Sequence, residues 1–167
     1  MRAACAGLAL VAHVLGAGDQ VVPAAEPLAV SRQRDHVRAV PWVGPRDPFR
    51  EIPQGEGLVV SPADGKVVMI VPTPAGHAAG EGATQISIFL SVFDVHINRA
   101  PVGGLVRSVA YVPGSFLAAF RPESFRNEHS EITIDHGPTP IVVRQVVGLL
   151  ARRVVCRLKP SQAVAAG

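Results

Sequence analysis

Short apolar runs separated by glycine and proline dominate the chain from Gly57 onward. Runs of Val, Ile and Leu bounded by turn-forming residues predict strands, and several of them at this spacing are typical of an all-β domain. We therefore predict a mainly β fold, a sandwich or barrel of short, mostly antiparallel strands with little helix. The predicted strands are residues 58–60, 65–71, 85–93, 104–112, 131–135, 140–147 and 151–158.

Two of these runs alternate clearly enough to predict which side chains share a face. Because successive side chains of a strand point to opposite sides, every second residue shares a face. In Gln85–Phe93 one face carries Ile86, Ile88, Leu90 and Val92, and the other carries two serines and two phenylalanines, so both faces are predicted to be partly covered. In Gly104–Val112 one face carries Val106, Ser108, Ala110 and Val112. Between strands, Ser115–Phe120 predicts one helical turn capped by Ser115.

The N-terminal part has a different character. Ala3–Gly18 is apolar apart from His13, but short and rich in Ala and Gly for a membrane span. It predicts a weak membrane anchor, a signal-peptide hydrophobic region or an unstructured start. Residues 19–56 mix Pro, Gly, Ala and charges without periodicity, as linkers do. The expected division is an apolar leader or weak anchor (1–18), a linker (19–56) and a β domain (57–167).

Composition and charge indicate which residues fill the core and which kinds of partner the chain could bind. Hydrophobic residues make up 48% of the chain but aromatic residues only 5%, so Val, Ile, Leu and Ala must fill the core. After Asp135 there is no Asp or Glu, and five basic residues follow: Arg144, Arg152, Arg153, Arg157 and Lys159. This end favours an anionic neighbour, such as a phospholipid surface, nucleic acid or an acidic chain. The alternative is the solvated edge of a sheet.

The two cysteines do not indicate a metal site or a disulfide framework. Neither Cys5 nor Cys156 has metal-ligand spacing around it. Cys156 lies in a Val-rich run and is expected to pack as a small apolar side chain. A nucleophilic triad of Cys156, His96 and Asp94 is disfavoured, because burial in apolar surroundings makes a thiol unreactive.

Three residues are candidates for a chemical role: His96, Asp64 and Arg126. On an extended strand Asp94 and His96 project to the same side, where a carboxylate would favour an imidazolium proton donor; the alternative is a half-exposed histidine without a role. Asp64, in Ala63-Asp64-Gly65, is either functional or a turn former only. Arg126, in a polar run before a strand, either binds an anionic head group or lies in a solvated loop.

An ordered set of motifs resembles the phosphatidylserine decarboxylases, in their short prokaryotic form. The set covers roughly Pro45–Gly167. No single motif is decisive, but their order along the chain is specific to this family. Its pieces are Arg46-Asp47-Pro48, Arg50, Ile52-Pro53, Ser61–Val67, Phe89–Pro101, Gly104, Tyr111–Gly114, Asn127-Glu128, Arg144–Gly148 and Ala151-Arg152-Arg153.

The resemblance implies a lyase that makes its own cofactor. In that family a zymogen cleaves itself at a Gly-Ser bond, and the serine becomes a pyruvoyl group on a small chain. The pyruvoyl group forms a Schiff base with phosphatidylserine and takes up electrons while carbon dioxide leaves, giving phosphatidylethanolamine. The matching positions imply that Asp64 assists self-cleavage and that His96 serves proton transfer. No metal is implied.

The resemblance also implies partners and a location. We expect phosphatidylserine, a pyruvoyl-bearing small chain and an anionic membrane surface as partners, without nucleic acid, and leave a homo-oligomer open. The location implied is peripheral, on the cytoplasmic face of the cell membrane. Gly114-Ser115 is the only Gly-Ser dipeptide in the chain, and it does not lie at the matched cleavage position. The chain thus resembles most of the large chain, without the pyruvoyl-forming serine.

The sequence is also compatible with two other functions. The first is an inactive, truncated β module that binds anionic lipid. The second is a biotinyl or lipoyl carrier, which needs an exposed modified lysine; only Lys66 and Lys159 are available.

Overall fold

The computed structural model describes residues 8–14, 49–55, 57–73, 82–91, 93–119 and 121–167. These residues form one antiparallel sheet and a single 3₁₀ helix, so the prediction of a mainly β fold with little helix is confirmed. The elements are β1 (Leu8–Val14), β2 (Lys66–Pro72), β3 (Thr84–Leu90), β4 (Gly104–Val112), η1 (Pro122–Arg126), β5 (His129–His136), β6 (Thr139–Val146) and β7 (Ala163–Val164).

The sheet has the order β2-β3-β1-β6-β5-β4-β7, and every neighbouring pair is antiparallel. The β5–β6 hairpin is closed by the two residues Gly137 and Pro138, with His136 opposite Thr139. Gly137 has φ of 58°, the positive value that a type II′ turn needs at its first central position. This hairpin fixes the register of the two most buried strands.

The hydrophobic core lies against one face of the sheet. Its fully buried side chains come from β3 to β6, joined by Val102 from the segment before β4. Residues outside the strands cover this face, including Ala63, Ala100, Ala151, Val154, Cys156 and Leu158. Ile88 and Leu90, which the alternation places on one face, are both buried in the core; Val92 of the same series lies outside the described residues. Cys156 packs against the core as a small apolar side chain, as expected.

Two predicted strands are absent from the ladder. Residues 58–60 and 151–158 are extended or irregular without strand pairing. The alternation in 151–158 is nevertheless real, because Val154, Cys156 and Leu158 cover the core while Val155 is 61% exposed. One-sided burial produces the alternation of a strand even where no neighbouring chain supplies hydrogen bonds.

The prediction that Val106, Ser108, Ala110 and Val112 share one face of β4 is wrong. A β-bulge between Val106 and Ser108 shifts the register by one residue. Val106 is buried and Val109 packs on the core, whereas Ser108, Ala110 and Val112 are exposed. An extra residue in one strand reverses every later side chain, which periodicity alone does not reveal.

The helical turn also lies later than predicted. It spans Pro122–Arg126, with proline in its first turn, where a missing N–H is tolerated. Ser115 does not cap a helix; it forms a parallel bridge with Asn127. Phe120, the end of the predicted turn, lies outside the described residues.

Leu8–Val14, the centre of the predicted leader, forms β1 between β3 and β6. Residues 1–7, 15–48 and 56, the remainder of the predicted leader and most of the linker, lie outside the described residues, and the division into leader, linker and domain stays a prediction. Among the residues described, no helix has the length and apolar character required to cross a bilayer.

Candidate active site

His96 lies just beyond the end of β3, in a segment that a turn redirects. The Asp94 carboxylate accepts a hydrogen bond from the Ser91 amide at 2.7 Å, and the Asp94 amide donates to the Ser91 carbonyl at 3.0 Å. This closes a compact turn at the strand end. The expected pairing of the Asp94 carboxylate with His96 is therefore not formed, because the chain is no longer extended there.

The His96 ring is instead held by main chain. Its Nδ1 lies 2.8 Å from the Asp94 carbonyl oxygen. Since a carbonyl only accepts, Nδ1 carries the proton in this contact. Nε2 is then the ring nitrogen that this contact leaves available to another group.

An open cleft of about 460 Å³ runs along His96. One wall is the segment that carries His96, Ile97 and Asn98, and the floor includes Gln145 from β6. The opposite wall is formed by residues 151–155, among them Arg153, whose side chain is exposed. The cleft thus combines one titratable ring, two side-chain amides and one fixed positive charge.

The two amides are incompletely paired. Gln145 Nε2 donates to Asn98 Oδ1 at 2.7 Å, yet Asn98 Nδ2 and Gln145 Oε1 are shielded from solvent and have no hydrogen-bond partner among the described residues. An unpaired buried polar atom costs about 1–3 kcal/mol, so native proteins rarely leave two together. Exchanging the oxygen and nitrogen assignments of both amides still leaves one donor and one acceptor unpaired. The pair is suited to a ligand group that offers both.

Asp64 lies in a turn that is bound to the His96 segment. Arg50 contacts both carboxylate oxygens, Nε to Oδ1 at 3.2 Å and Nη2 to Oδ2 at 2.7 Å. The Pro62 carbonyl accepts from the Arg99 amide at 2.9 Å, which ties the turn to the chain after His96. Gly65 allows the same turn to approach β3 closely, because a Cβ there would meet the Phe89 carbonyl oxygen at 2.6 Å. Asp64 itself does not line the cleft.

Arg126, the third predicted residue, lies in η1. Its side chain is exposed and its guanidinium lies 5.4 Å from the centroid of the Phe125 ring. It does not line the cleft with His96. The structure thus joins the segments of Asp64 and His96 but leaves Arg126 apart from that cleft.

Asn127, which the sequence analysis gives only as part of the Asn127-Glu128 motif and without a role, is a structural clamp. It is fully buried; Oδ1 accepts from the Leu117 amide, and Nδ2 donates to the carbonyls of Leu117 and Val147 at 2.8 and 2.9 Å. The loop before β5 is thereby fixed to the end of β6, the strand that carries Gln145. In the sequence Asn127 is one polar residue of a polar run, and nothing local distinguishes it.

One side chain near this loop, that of Tyr111, has a shifted pKa. A hydrogen bond to Glu128 raises the pKa of the Tyr111 phenol above its ordinary value of 10.0. Among the described residues, no group of three or more His, Cys, Asp and Glu side chains is placed to hold a metal ion.

A family profile described as phosphatidylserine decarboxylase matches residues 45–167. This chain belongs to the phosphatidylserine decarboxylase family. The matched region includes Arg50, Asp64 and His96 together with both amides of the cleft. It leaves out β1.

Several curated members of the decarboxylase family are similar, each named phosphatidylserine decarboxylase proenzyme. The protein from Chlorobaculum tepidum is 50% identical over 123 residues, covering 73% of this chain and 56% of its own length. That from Chlorobium chlorochromatii is 47% identical over 123 residues, covering 73% and 58%. That from Solibacter usitatus is 46% identical over 123 residues, covering 73% and 56%. The chain thus spans just over half the length of these relatives. No solved structure matches the chain.

Proposed function

We propose that this chain forms the large-chain part of a decarboxylase that converts phosphatidylserine to phosphatidylethanolamine and carbon dioxide. The observation that carries the proposal is the family match over residues 45–167, which includes the cleft with His96 and its two incompletely paired amides. The names of the relatives, as proenzymes, support a chain that matures by cleavage.

The residues of the cleft fit the pyruvoyl cofactor of this proposal, carried by a small chain of the same precursor. Asn98 Nδ2 is a buried donor to which no described residue supplies an acceptor, and a carbonyl oxygen would be such an acceptor. Asn98 and Gln145 would hold the group beside His96. When bound, a pyruvoyl carbonyl supplies an acceptor for the electrons left behind as carbon dioxide departs.

His96 is the proton-transfer group in this proposal. Decarboxylation replaces the substrate carboxylate with a proton on the same carbon, so one proton must be delivered to a position the cleft controls. The contact from Nδ1 to the Asp94 carbonyl fixes the ring and leaves Nε2 for that transfer. Residues 151–155 form the wall that faces this position.

Asp64 assists self-cleavage in the proposal, and Arg50 orients it. A bidentate guanidinium contact fixes the plane of a carboxylate as well as its position. The hydrogen bond between the Arg99 amide and the Pro62 carbonyl keeps this turn close to the segment of His96.

The proposed location is the cytoplasmic face of the membrane, with peripheral attachment. Leu149, Leu150 and Val155 are 52%, 65% and 61% exposed. Arg152 and Arg153 lie between them in the sequence and are also exposed. Apolar side chains interleaved with arginine suit the interface of an anionic bilayer. Arg153 and Arg126 are the proposed contacts for the lipid phosphate, Arg153 at the wall of the cleft and Arg126 outside it.

Protein isolated from its source tests the proposal. We expect mass spectrometry to find a second, smaller chain with a blocked, carbonyl-reactive N-terminus, and the preparation to release labelled carbon dioxide from carboxyl-labelled phosphatidylserine. A lone 17.5 kDa chain that binds anionic vesicles without releasing carbon dioxide would establish the rival function, an inactive lipid-binding module.

Variants of a complete precursor test His96 specifically. His96→Ala should reduce decarboxylation or maturation by about a hundredfold, the usual contribution of a positioned acid–base group. His136→Ala is the matched control, because its Nδ1 also contacts a main-chain carbonyl, that of Gly103 at 2.7 Å, on an exposed part of the sheet. Equal behaviour of the two variants would remove His96 from the mechanism.

A further inference from the structure

The wall of the cleft that carries Arg153 is not part of the sheet. Residues 151–155 form this wall without strand pairing. At its start the Gly148 amide donates to the Ala151 carbonyl at 3.0 Å, and further along Val154 packs against the core. Arg153 lies between these two anchors. Its direction therefore depends on what holds the short stretch between them.

Arg152 supplies a contact of this kind. Its guanidinium lies 4.6 Å from the centroid of the Phe116 ring, within the distance of about 6 Å at which a cation is attracted to the face of an aromatic ring. Arg152 is not among the residues that line the cleft, whereas Arg153 is. The Phe116–Arg152 stack thus holds the wall from outside the cleft and joins it to a segment that is remote in sequence.

The Phe116 ring is a fixed platform, because the residues on either side of it are hydrogen-bonded. Ser115 forms main-chain hydrogen bonds through both its amide and its carbonyl, at 3.0 Å each, with the two residues that flank Asn127. The amide and the carbonyl of Leu117 are both bound by the Asn127 side chain, at 2.9 and 2.8 Å. Phe116 is therefore held at both its neighbours and is itself half-buried.

The same clamp connects the platform to the floor of the cleft. Asn127 Nδ2 also donates to the Val147 carbonyl at 2.9 Å. Val147 directly follows β6, the strand that carries Gln145 in the floor of the cleft. The stack therefore relates the position of Arg153 on the wall to that of Gln145 on the floor.

We propose that Phe116 is a positioning residue for the anionic head group of the substrate: through its stack with Arg152, it holds Arg153 at the cleft. This inference rests on the proposed function, in which Arg153 contacts the lipid phosphate. A contact held in place before binding loses less conformational freedom when the ligand arrives. The phosphate keeps its charge throughout decarboxylation, so the contact stabilises the bound substrate and the transition state alike. Phe116 therefore determines how tightly the head group binds and leaves the rate of the chemical step unaffected.

Order in the wall is measured by NMR relaxation of the full chain. Phe116→Leu keeps an apolar side chain but removes the ring, so the order parameters of the Arg152 and Arg153 amides should fall from about 0.85 to below about 0.6. Phe116→Tyr retains the ring and should keep the wild-type values. Phe125→Leu is the matched control, because the Phe125 ring lies 5.4 Å from the guanidinium of its own neighbour, Arg126. Unchanged order parameters in Phe116→Leu would overturn the proposal.

Head-group binding is measured by calorimetry on the enzyme processed from a complete precursor, with glycerophosphoserine as the probe. Phe116→Leu should raise the Kd about fivefold, and Phe116→Tyr should restore it. In an Arg153→Gln background the same change should raise the Kd by less than about twofold, because the contact through which Phe116 acts is already lost. Equal rises in both backgrounds would show a merely structural role and overturn the proposal. So would failure of the wild-type enzyme to bind the probe.

Kinetics separate this inference from the proposed function. In an active enzyme, Phe116→Leu should raise KM for phosphatidylserine about fivefold and keep kcat within about twofold, as loss of uniform binding does. A fall in kcat at constant KM would contradict the positioning role and leave the proposed function intact. Neither the order parameters nor the Kd depends on release of carbon dioxide. The expected changes in both, without any such release, would contradict only the proposed function.

Discussion

Arg50 binds both carboxylate oxygens of Asp64, although the two residues are 14 positions apart in the sequence. Both side chains are partly exposed, at 40% and 41%, so the pair adds less than about 1 kcal/mol to stability. Its value lies in orientation of the carboxylate. In a complete precursor, Arg50→Ala should slow self-cleavage about tenfold, measured by the appearance of the two chains on a gel.

Two further variants make this prediction specific. Arg50→Lys should be intermediate, because an ammonium does not form both contacts. Arg107→Ala removes a comparable ion pair, with Asp135 at 2.6 Å, and should leave cleavage unchanged. A normal rate of cleavage in Arg50→Ala would show that orientation of Asp64 is not required.

The exposed arginines near the cleft should govern membrane binding. Arg153→Gln and Arg157→Gln are each expected to weaken binding to vesicles containing phosphatidylserine about fivefold, since one basic residue contributes about 1 kcal/mol at an anionic surface. Neutral vesicles and the Arg107→Gln variant are the controls in a sedimentation assay. Equal loss with Arg107→Gln would indicate a general charge effect, without a defined surface.

The Asn127 clamp should be the most sensitive polar site in the fold. Asn127→Ala removes three hydrogen bonds and leaves the Leu117 amide and two carbonyls unpaired, so the free energy of unfolding should fall by about 3 kcal/mol in urea. Gln54→Ala, which removes one exposed contact to the Ile52 carbonyl, should change it by less than about 0.5 kcal/mol. Similar values for the two variants would contradict the assigned role.

Tyr111 gives a pH-dependent signal that can be read directly. It is the only tyrosine in the chain, so absorbance near the phenolate band follows this one group. The pKa of Tyr111 is raised by its hydrogen bond to Glu128, and Glu128→Gln should lower that pKa towards the ordinary value of 10.0. Because the folded-state pKa lies above the unfolded one, the contribution to stability is complete below pH 10.0 and is lost as pH rises through the folded-state value. An unchanged titration in Glu128→Gln would contradict this contact.

The edge strand β2 is expected to cause self-association. Within the described part of the chain β3 is its one neighbour, and Val68, Met69 and Ile70 are 59%, 43% and 55% exposed. Exposed apolar edges pair with other chains, and a charge blocks this. Ile70→Lys should reduce light scattering at high concentration. Leu105→Lys is the control, because Leu105 is 54% exposed on β4, which β5 and β7 enclose; equal reductions would argue against edge pairing.

The sequence correctly predicts the strands whose apolar runs are bounded at both ends by turn-forming residues. Gly104–Val112 is observed with the predicted limits, and β2, β3 and β6 differ by one to three residues at each end. Leu8–Val14 was not predicted as a strand, because an Ala-rich apolar run has the same composition in a leader and in the middle of a sheet. Only the edges of β3 and β6 distinguish the two, and these are remote in sequence.

The candidate site was predicted only in part, because some of its contacts also join residues that are remote in sequence. The residue type and setting of His96 identify it locally, but the rule that Asp94 shares its side holds only while the strand continues, and β3 ends at Leu90. The contact between Asn98 and Gln145 joins residues 47 positions apart. No local pattern predicts it, since it arises from the path of β6 beneath the His96 segment.

The position of β1 has a consequence for biosynthesis. Leu8–Val14 is synthesised long before its partner β6, Thr139–Val146. The β5–β6 hairpin is local and closes quickly, whereas insertion of β1 between β3 and β6 requires closure of a much longer loop. We therefore expect a late kinetic step of folding to be the joining of two preformed half-sheets, with Leu8–Val14 dependent on chaperones until then.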